Sequence, residues 1–230
     1  MKRLTKYLGV LLLALTATSV HAVPISVLFD GVDIQVGDKL FSDWTLLNLV
    51  DPVAGPMDLS GIEVTGIGDG TAGNEYGLSF TGNGEWGTSL DFLDLWFGFS
   101  VTATDPTMNI VGSTMAGTTD TDSADFSILV EQEVFNDFEG DSLAFMSIYD
   151  DTFFGQDLSA SAGFGGLNSI WVEDNILVAE LAELDFGFAE LLSFEQRFLQ
   201  EAATVPEPGT LALLGIGLLG MAATRRRQKI

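Results

Sequence analysis

The chain has 230 residues, no cysteine and a single histidine, His21. Without thiols no disulfide can brace the fold, and no sulfur can act as nucleophile or metal ligand. His21 lies just before an expected signal-peptide cleavage point, so the domain that follows has neither residue type. That excludes a Ser-His-Asp triad, thiol catalysis, an ordinary structural zinc site and the usual haem ligation. The hydrolytic chemistry left open is a pair of carboxylates of the glycosidase kind. With so many acids in the chain, some pair falls at a suitable separation by chance.

Positive charge is nearly as scarce. All 33 acidic residues lie between Asp30 and Glu207, where the only basic residues are Lys39 and Arg197, so two cations face 33 anions and the interval carries a formal charge of −31. Phosphate binding needs clustered Lys and Arg, and nucleic acid is therefore excluded as a partner. Such a charge repels itself in the compact state, and salt or divalent cations relieve it.

Long helical periodicity is the third thing missing. Short apolar runs separated by Gly, Asn, Asp and Thr predict strands near 25–29, 40–47, 62–65, 76–81, 90–104, 107–115, 123–135, 143–149, 159–164, 168–178 and 191–200. Phe97, Phe99, Val101 and Ala103 alternate with Gly98, Ser100, Thr102 and Thr104, which buries one face and wets the other. In the last run Leu192, Phe194 and Phe198 share parity with polar Gln196, an imperfect strand. One short helical turn is expected near Ala179 to Glu183. The pattern predicts an all-β domain, an antiparallel β-sandwich or jelly roll, held by one core.

The two ends carry addresses. Lys2, Arg3 and Lys6 precede an apolar stretch from Leu8 to Leu15, and Val20-His21-Ala22 fits the small-residue rule for cleavage between Ala22 and Val23. At the other end Val205-Pro206-Glu207-Pro208 is followed by an uncharged run over 209–224 and by Arg225-Arg226-Arg227. The run is shorter than the roughly 20 residues that span a typical bilayer, which suits a thin or temporary transmembrane helix. The prolines favour extended backbone at Val205 and Glu207, and the arginines stay cytoplasmic by the positive-inside rule. Motif, span and basic cluster in this order resemble the PEP-CTERM sorting signal of Gram-negative bacteria. The resemblance implies export through the Sec machinery, transient anchoring in the inner membrane, processing by an exosortase, and a final place at the cell surface or outside it. The expected organisation is a signal peptide over 1–22, an acidic β-rich exported domain over 23–204, and a sorting signal over 205–230 with a basic tail from 225. The block from Trp86 to Glu133, together with Ile170 to Ile176 and Leu192 to Phe198, is similar to small PEP-CTERM cargo proteins. It departs from them where Glu173-Asp174-Asn175-Ile176 stands in place of a lysine-containing step. This second resemblance rests on strand patterns and carries over no activity.

Candidate sites follow from residue chemistry. Asp120, Asp122 and Asp125 could supply hard oxygen ligands to Ca²⁺ from one loop. Asp69, Asn74 and Glu75 form a second polar cluster. Asn136 to Asp141 forms a third, without the spacing of an EF-hand. Gly66, Gly68, Gly70 and Gly73 lack the lysine and the basic surroundings of a phosphate loop. Trp44, Trp86, Trp96 and Trp171 are either core or, where two are exposed together, a sugar-stacking platform. Three function classes remain. The first is a non-enzymatic exported surface or matrix protein, associated with exopolysaccharide or biofilm as the sorting resemblance implies, with no cofactor. The others are a Ca²⁺-dependent carbohydrate-binding module and a carboxylate glycoside hydrolase.

Overall fold

The computed structural model describes residues 21–50, 57–88, 92–122, 125–180 and 188–203. The expected signal segment through residue 20 and the sorting signal from 205 onward lie outside them. In chain order the elements are β1 (Val23–Pro24), a short helix α1 (Ile25–Phe29), β2 (Ile34–Val36), β3 (Lys39–Val50), β4 (Glu63–Ile67), β5 (Gly77–Thr81), β6 (Gly87–Thr88) and β7 (Phe92–Ala103). They continue with β8 (Met108–Thr121), β9 (Phe126–Phe135), β10 (Ser142–Asp151), β11 (Gly155–Asp157), β12 (Ser159–Leu167), β13 (Ser169–Glu180) and β14 (Ala189–Ala202). The first sheet runs β1-β4-β5-β14-β8-β12 with β6 beside β14, and the second runs β11-β10-β9-β13-β7-β3-β2. Their pairings are antiparallel, and the two sheets close as a sandwich.

Alternation builds the core. On β9, Phe126, Ile128, Val130 and Val134 are buried while the intervening positions are wetter, and β7 buries Leu93, Leu95, Phe97, Phe99, Val101 and Ala103 in the same way. Aromatic rings bridge the layers. Phe80 of β5 stacks on Phe194 of β14 with centroids 4.6 Å apart and lies 5.6 Å from Phe97 of the second sheet, and Phe41 of β3 meets Phe198 of β14 at 5.8 Å. Each buried ring removes a large apolar area from water, which is the main favourable term available to a domain without disulfides.

The opening segment 25–29, expected as a strand, is a five-residue helix. Pro24 precedes it with φ −56°, and burial falls on Ile25 and Leu28, three residues apart on one helical face, instead of on Ile25, Val27 and Phe29. Gly31 then ends the turn at φ 90°, its N–H donating to the Leu28 carbonyl at 2.9 Å. Of the helical turn expected near Ala179 to Glu183, Ala179 and Glu180 belong to β13 and the remainder lies outside the described residues. The imperfect parity of β14 comes from a bulge: the register shifts between Leu191 and Ser193, so Leu191 and Phe194 are both buried while Leu192 faces out.

Gln196 is nevertheless an inward residue. It joins a polar knot between the sheets with Gln132 of β9, Asp174 of β13 and Ser113 of β8, all four fully buried. Gln196 Nε2 donates to Asp174 Oδ2 at 2.6 Å, Gln132 Nε2 donates to Asp174 Oδ1 at 3.3 Å and also to Gln196 Oε1, and Ser113 Oγ donates to Gln132 Oε1 at 2.7 Å. Burial pushes the Asp174 carboxyl up to about 7, against the pull of the two glutamine amides.

Candidate ligand-binding face

Side chains on a strand alternate between faces, so the residues between the core positions of β7, β13, β9 and β10 share the outer face of the second sheet. The registers place Trp96, Asn175, Glu131 and Ser147 in one row across these strands. The adjacent row is Gly98, Glu173, Glu133 and Phe145. Trp96, Glu131, Glu133, Phe145, Glu173 and Asn175 together line a groove of about 230 Å³.

Two aromatic rings stand open to solvent here, Trp96 at 40% and Phe145 at 58% exposure. The other three tryptophans are buried, so the expected platform of paired tryptophans reduces to Trp96 with a phenylalanine. Trp171 also projects outward from β13 but is covered. Gly98, whose missing side chain leaves room that a Cβ would take from the indole, lets Trp171 lie flat across β7. Its Nε1 donates to Glu173 Oε1 at 2.9 Å, and Phe138 meets its ring edge-on at 4.9 Å.

The carboxylates of the groove are held differently from those of the loops. Glu133 stands directly opposite Glu173 across the β9/β13 ladder, a like-charge pair that costs stability. Among the described residues neither Glu131 nor Glu133 has a hydrogen-bond or ion-pair partner. Asn175 Oδ1 is buried without a partner as well. Several loop acids, by contrast, are occupied by their own turns. Asp69 Oδ1 accepts from Thr71 N at 3.0 Å and Thr71 Oγ1 at 2.7 Å, and these bonds hold its carboxyl below the usual range. Asp58 with Ser60 and Asp105 with Thr107 repeat the motif.

Of the three aspartates considered for calcium, Asp120 sits on β8 opposite Glu190, and Asp122 Oδ1 accepts the Phe188 N–H at 2.6 Å across the end of the sheet. Asp125 lies just before β9 and has an interaction of its own. Among the described residues no group of three or more His, Cys, Asp and Glu is placed to hold a metal ion. The Asp69, Asn74 and Glu75 turn is tied instead to Arg197, whose guanidinium donates to Asn74 Oδ1 at 2.8 Å, to the Glu75 carbonyl at 3.1 Å and to Glu195 at 2.9 Å. Lys39 is buried against Asp38 and Gln200. Both cations of the domain are thus engaged away from the groove, which is left negative.

Outward parity on β7, β9 and β13 was available from sequence for Trp96, Glu131, Glu133, Glu173 and Asn175. Their convergence with Phe145 was not, because it depends on which strands are neighbours. The sorting residues Val205, Pro206, Glu207, Pro208 and Arg225 to Arg227 lie outside the described residues. Val23, which follows the expected cleavage point, opens β1. No helix among the described residues is long and apolar enough to cross a membrane.

Comparison with known proteins gives one family match, to the PEP-CTERM protein-sorting motif, over residues 204–227. No curated protein matches the chain. Among solved structures the chain is similar to the enzymatically active domain of tailspike protein 4 of bacteriophage CBA120, at 15% identity over 68% of this chain and 19% of that one, with a TM-score of 0.27. An arabinose-bound MgGH51 α-L-arabinofuranosidase overlaps at 9% identity over 67% of this chain and 23% of that one, with a TM-score of 0.24. A family 11 carbohydrate-binding module from Clostridium thermocellum, in complex with a β-1,3-1,4-mixed-linked tetrasaccharide, overlaps at 12% identity over 69% of this chain and 96% of that one, with a TM-score of 0.23. The matched region spans about a fifth of the first two structures. Overlap at these TM-scores carries no argument about fold or ligand.

Proposed function

We propose that this chain, an exported protein bearing a PEP-CTERM sorting motif, is a non-enzymatic surface or matrix protein that holds extracellular polysaccharide on the outer face of its second sheet. The observation that carries the reading is the groove between Trp96 and Phe145. Exposed flat rings offer stacking surfaces to sugar rings, and the carboxylates and amide between them are hydrogen-bond acceptors and donors for hydroxyl groups. The domain has no histidine or cysteine for nucleophilic chemistry, and the Glu133 and Glu173 pair stands on an open sheet instead of facing across a deep cleft. Export frees the protein to meet polysaccharide outside the cell, and the large negative charge of the domain keeps it soluble there.

The test is fractionation of the producing cells with intact-mass analysis and a reducing-end assay. The processed protein, beginning near Val23 and lacking the arginine cluster, is expected to sediment with the extracellular polysaccharide without releasing reducing ends. A stable full-length species with Arg225 to Arg227 in that fraction would replace sorting with a permanent tail anchor. Free protein in the medium, or steady release of reducing ends, would overturn the matrix-binding reading.

A further inference from the structure

We propose that the groove selects a polysaccharide bearing free amino groups, a polymer of 2-amino-2-deoxyhexose units, over neutral or acidic polymers. This rests on the polysaccharide reading above and adds the chemistry of the sugar. Trp96 and Phe145 stand three strands apart, on β7 and β10, which is about 14 Å across the sheet. A ligand that touches both rings is therefore an extended oligomer and not a single sugar.

Three carboxylates lie between the rings, Glu131, Glu133 and Glu173, and no cation of the domain reaches them. Uronate- or sulfate-bearing polymers meet like charge along the whole groove and are repelled. A neutral sugar can stack, but it covers carboxylates that keep repelling one another while losing water. An ammonium group on each sugar offsets both costs. It pairs with a carboxylate, separates Glu133 from Glu173, and lies over the open indole face of Trp96, where a cation is attracted by the ring quadrupole. Asn175 Oδ1, buried in the same groove without a partner, adds an acceptor for an N–H or O–H of the ligand.

The experiment is calorimetric titration of the exported protein recovered from its producing cells with three probes: a β-1,4-linked glucosamine hexamer, its fully N-acetylated counterpart, and a lysine hexamer. The glucosamine hexamer is expected to bind, with the N-acetylated form weaker by about tenfold or more. Trp96→Ala and the pair Glu133→Gln with Glu173→Gln should each weaken the glucosamine hexamer by about fivefold or more, with unchanged circular dichroism. Glu190→Gln with Glu201→Gln, the same change of charge on the other sheet, should leave binding as it is. Equal binding of the two sugars overturns the amino-sugar assignment and leaves the polysaccharide reading standing. Failure of both sugars to bind overturns both. Lysine hexamer binding as tightly as glucosamine hexamer, with Trp96→Ala without effect, reduces the groove to unspecific charge and overturns the assignment.

Discussion

Glu173 and Asp174 are neighbours on β13 with opposite surroundings. Asp174 points between the sheets, where two glutamine amides hold it and burial pushes it toward the neutral form. Glu173 points outward, takes one hydrogen bond from Trp171 and faces the carboxylate of Glu133. The inner acid is fully partnered at the cost of its charge. The outer acids keep water, and among the described residues Glu131 and Glu133 have no hydrogen-bond or ion-pair partner. The difference teaches that acid in this chain is of at least two kinds: acid that organises the fold, in the knot and in the turns, and acid that faces solvent from the outer sheet.

Truncation on the two sides of β7 should separate these roles most sharply. Phe97→Ala removes a fully buried ring and should cost about 3–5 kcal/mol in a urea titration. Trp96→Ala, one residue away on the exposed face, should stay within about 0.5 kcal/mol. Similar losses at both positions would mean that the outer face belongs to the core.

The inner acid gives a pH signature of definite sign. Its folded pKa, about 7, lies above the ordinary aspartate value of 3.8, so the native state binds the proton more tightly than the unfolded chain does. Stability from this group is complete below about pH 4 and is lost as pH rises toward 7, at up to about 1.4 kcal/mol per pH unit. Asp174→Asn should flatten that part of the profile in stability measurements from pH 4 to 8. A slope unchanged by Asp174→Asn would shift the cause to general repulsion among surface carboxylates.

The outer pair should show the smallest effect, and the opposite response to neutralisation. Glu133→Gln relieves the cross-strand repulsion and should raise stability by about 0.2–1 kcal/mol, a gain that fades in molar salt. A loss on this substitution would mean that Glu133 has a stabilising partner after all.

Much of this was legible in the chain. Strands β7 and β9 announce themselves because alternation is a local property, and Phe97, Phe99, Ile128 and Val130 show it without help from neighbours. The outward parity of Trp96 follows from the same pattern. What stayed hidden depends on partners far away in sequence. Gln196 reads as a flaw in β14 until Gln132 and Asp174 are brought to it from other strands, and the bulge at Leu192 is set by pairing with β8. The helix at Ile25 turns on Pro24 and on a seat beneath Ile62, whose carbonyl accepts the Ile25 N–H at 2.9 Å. The aspartates considered for calcium looked alike in sequence, yet in the fold Asp122 accepts the Phe188 N–H while Asp120 stands on β8 opposite Glu190.

The place of β14 has a consequence for the order of events during export. It is the last strand among the described residues, yet it lies inside the first sheet, between β5 and β8, and its end at Ala202 comes two residues before the start of the matched sorting region at 204. A chain translocated from its N-terminus exposes the bare edges of β5 and β8 until that final segment emerges, and pairing between such distant segments is slow. In a chain exported and sorted through this motif, completion of the first sheet would coincide with arrival of the motif at the membrane. Retention there would give the unpaired edges time to find β14 before release.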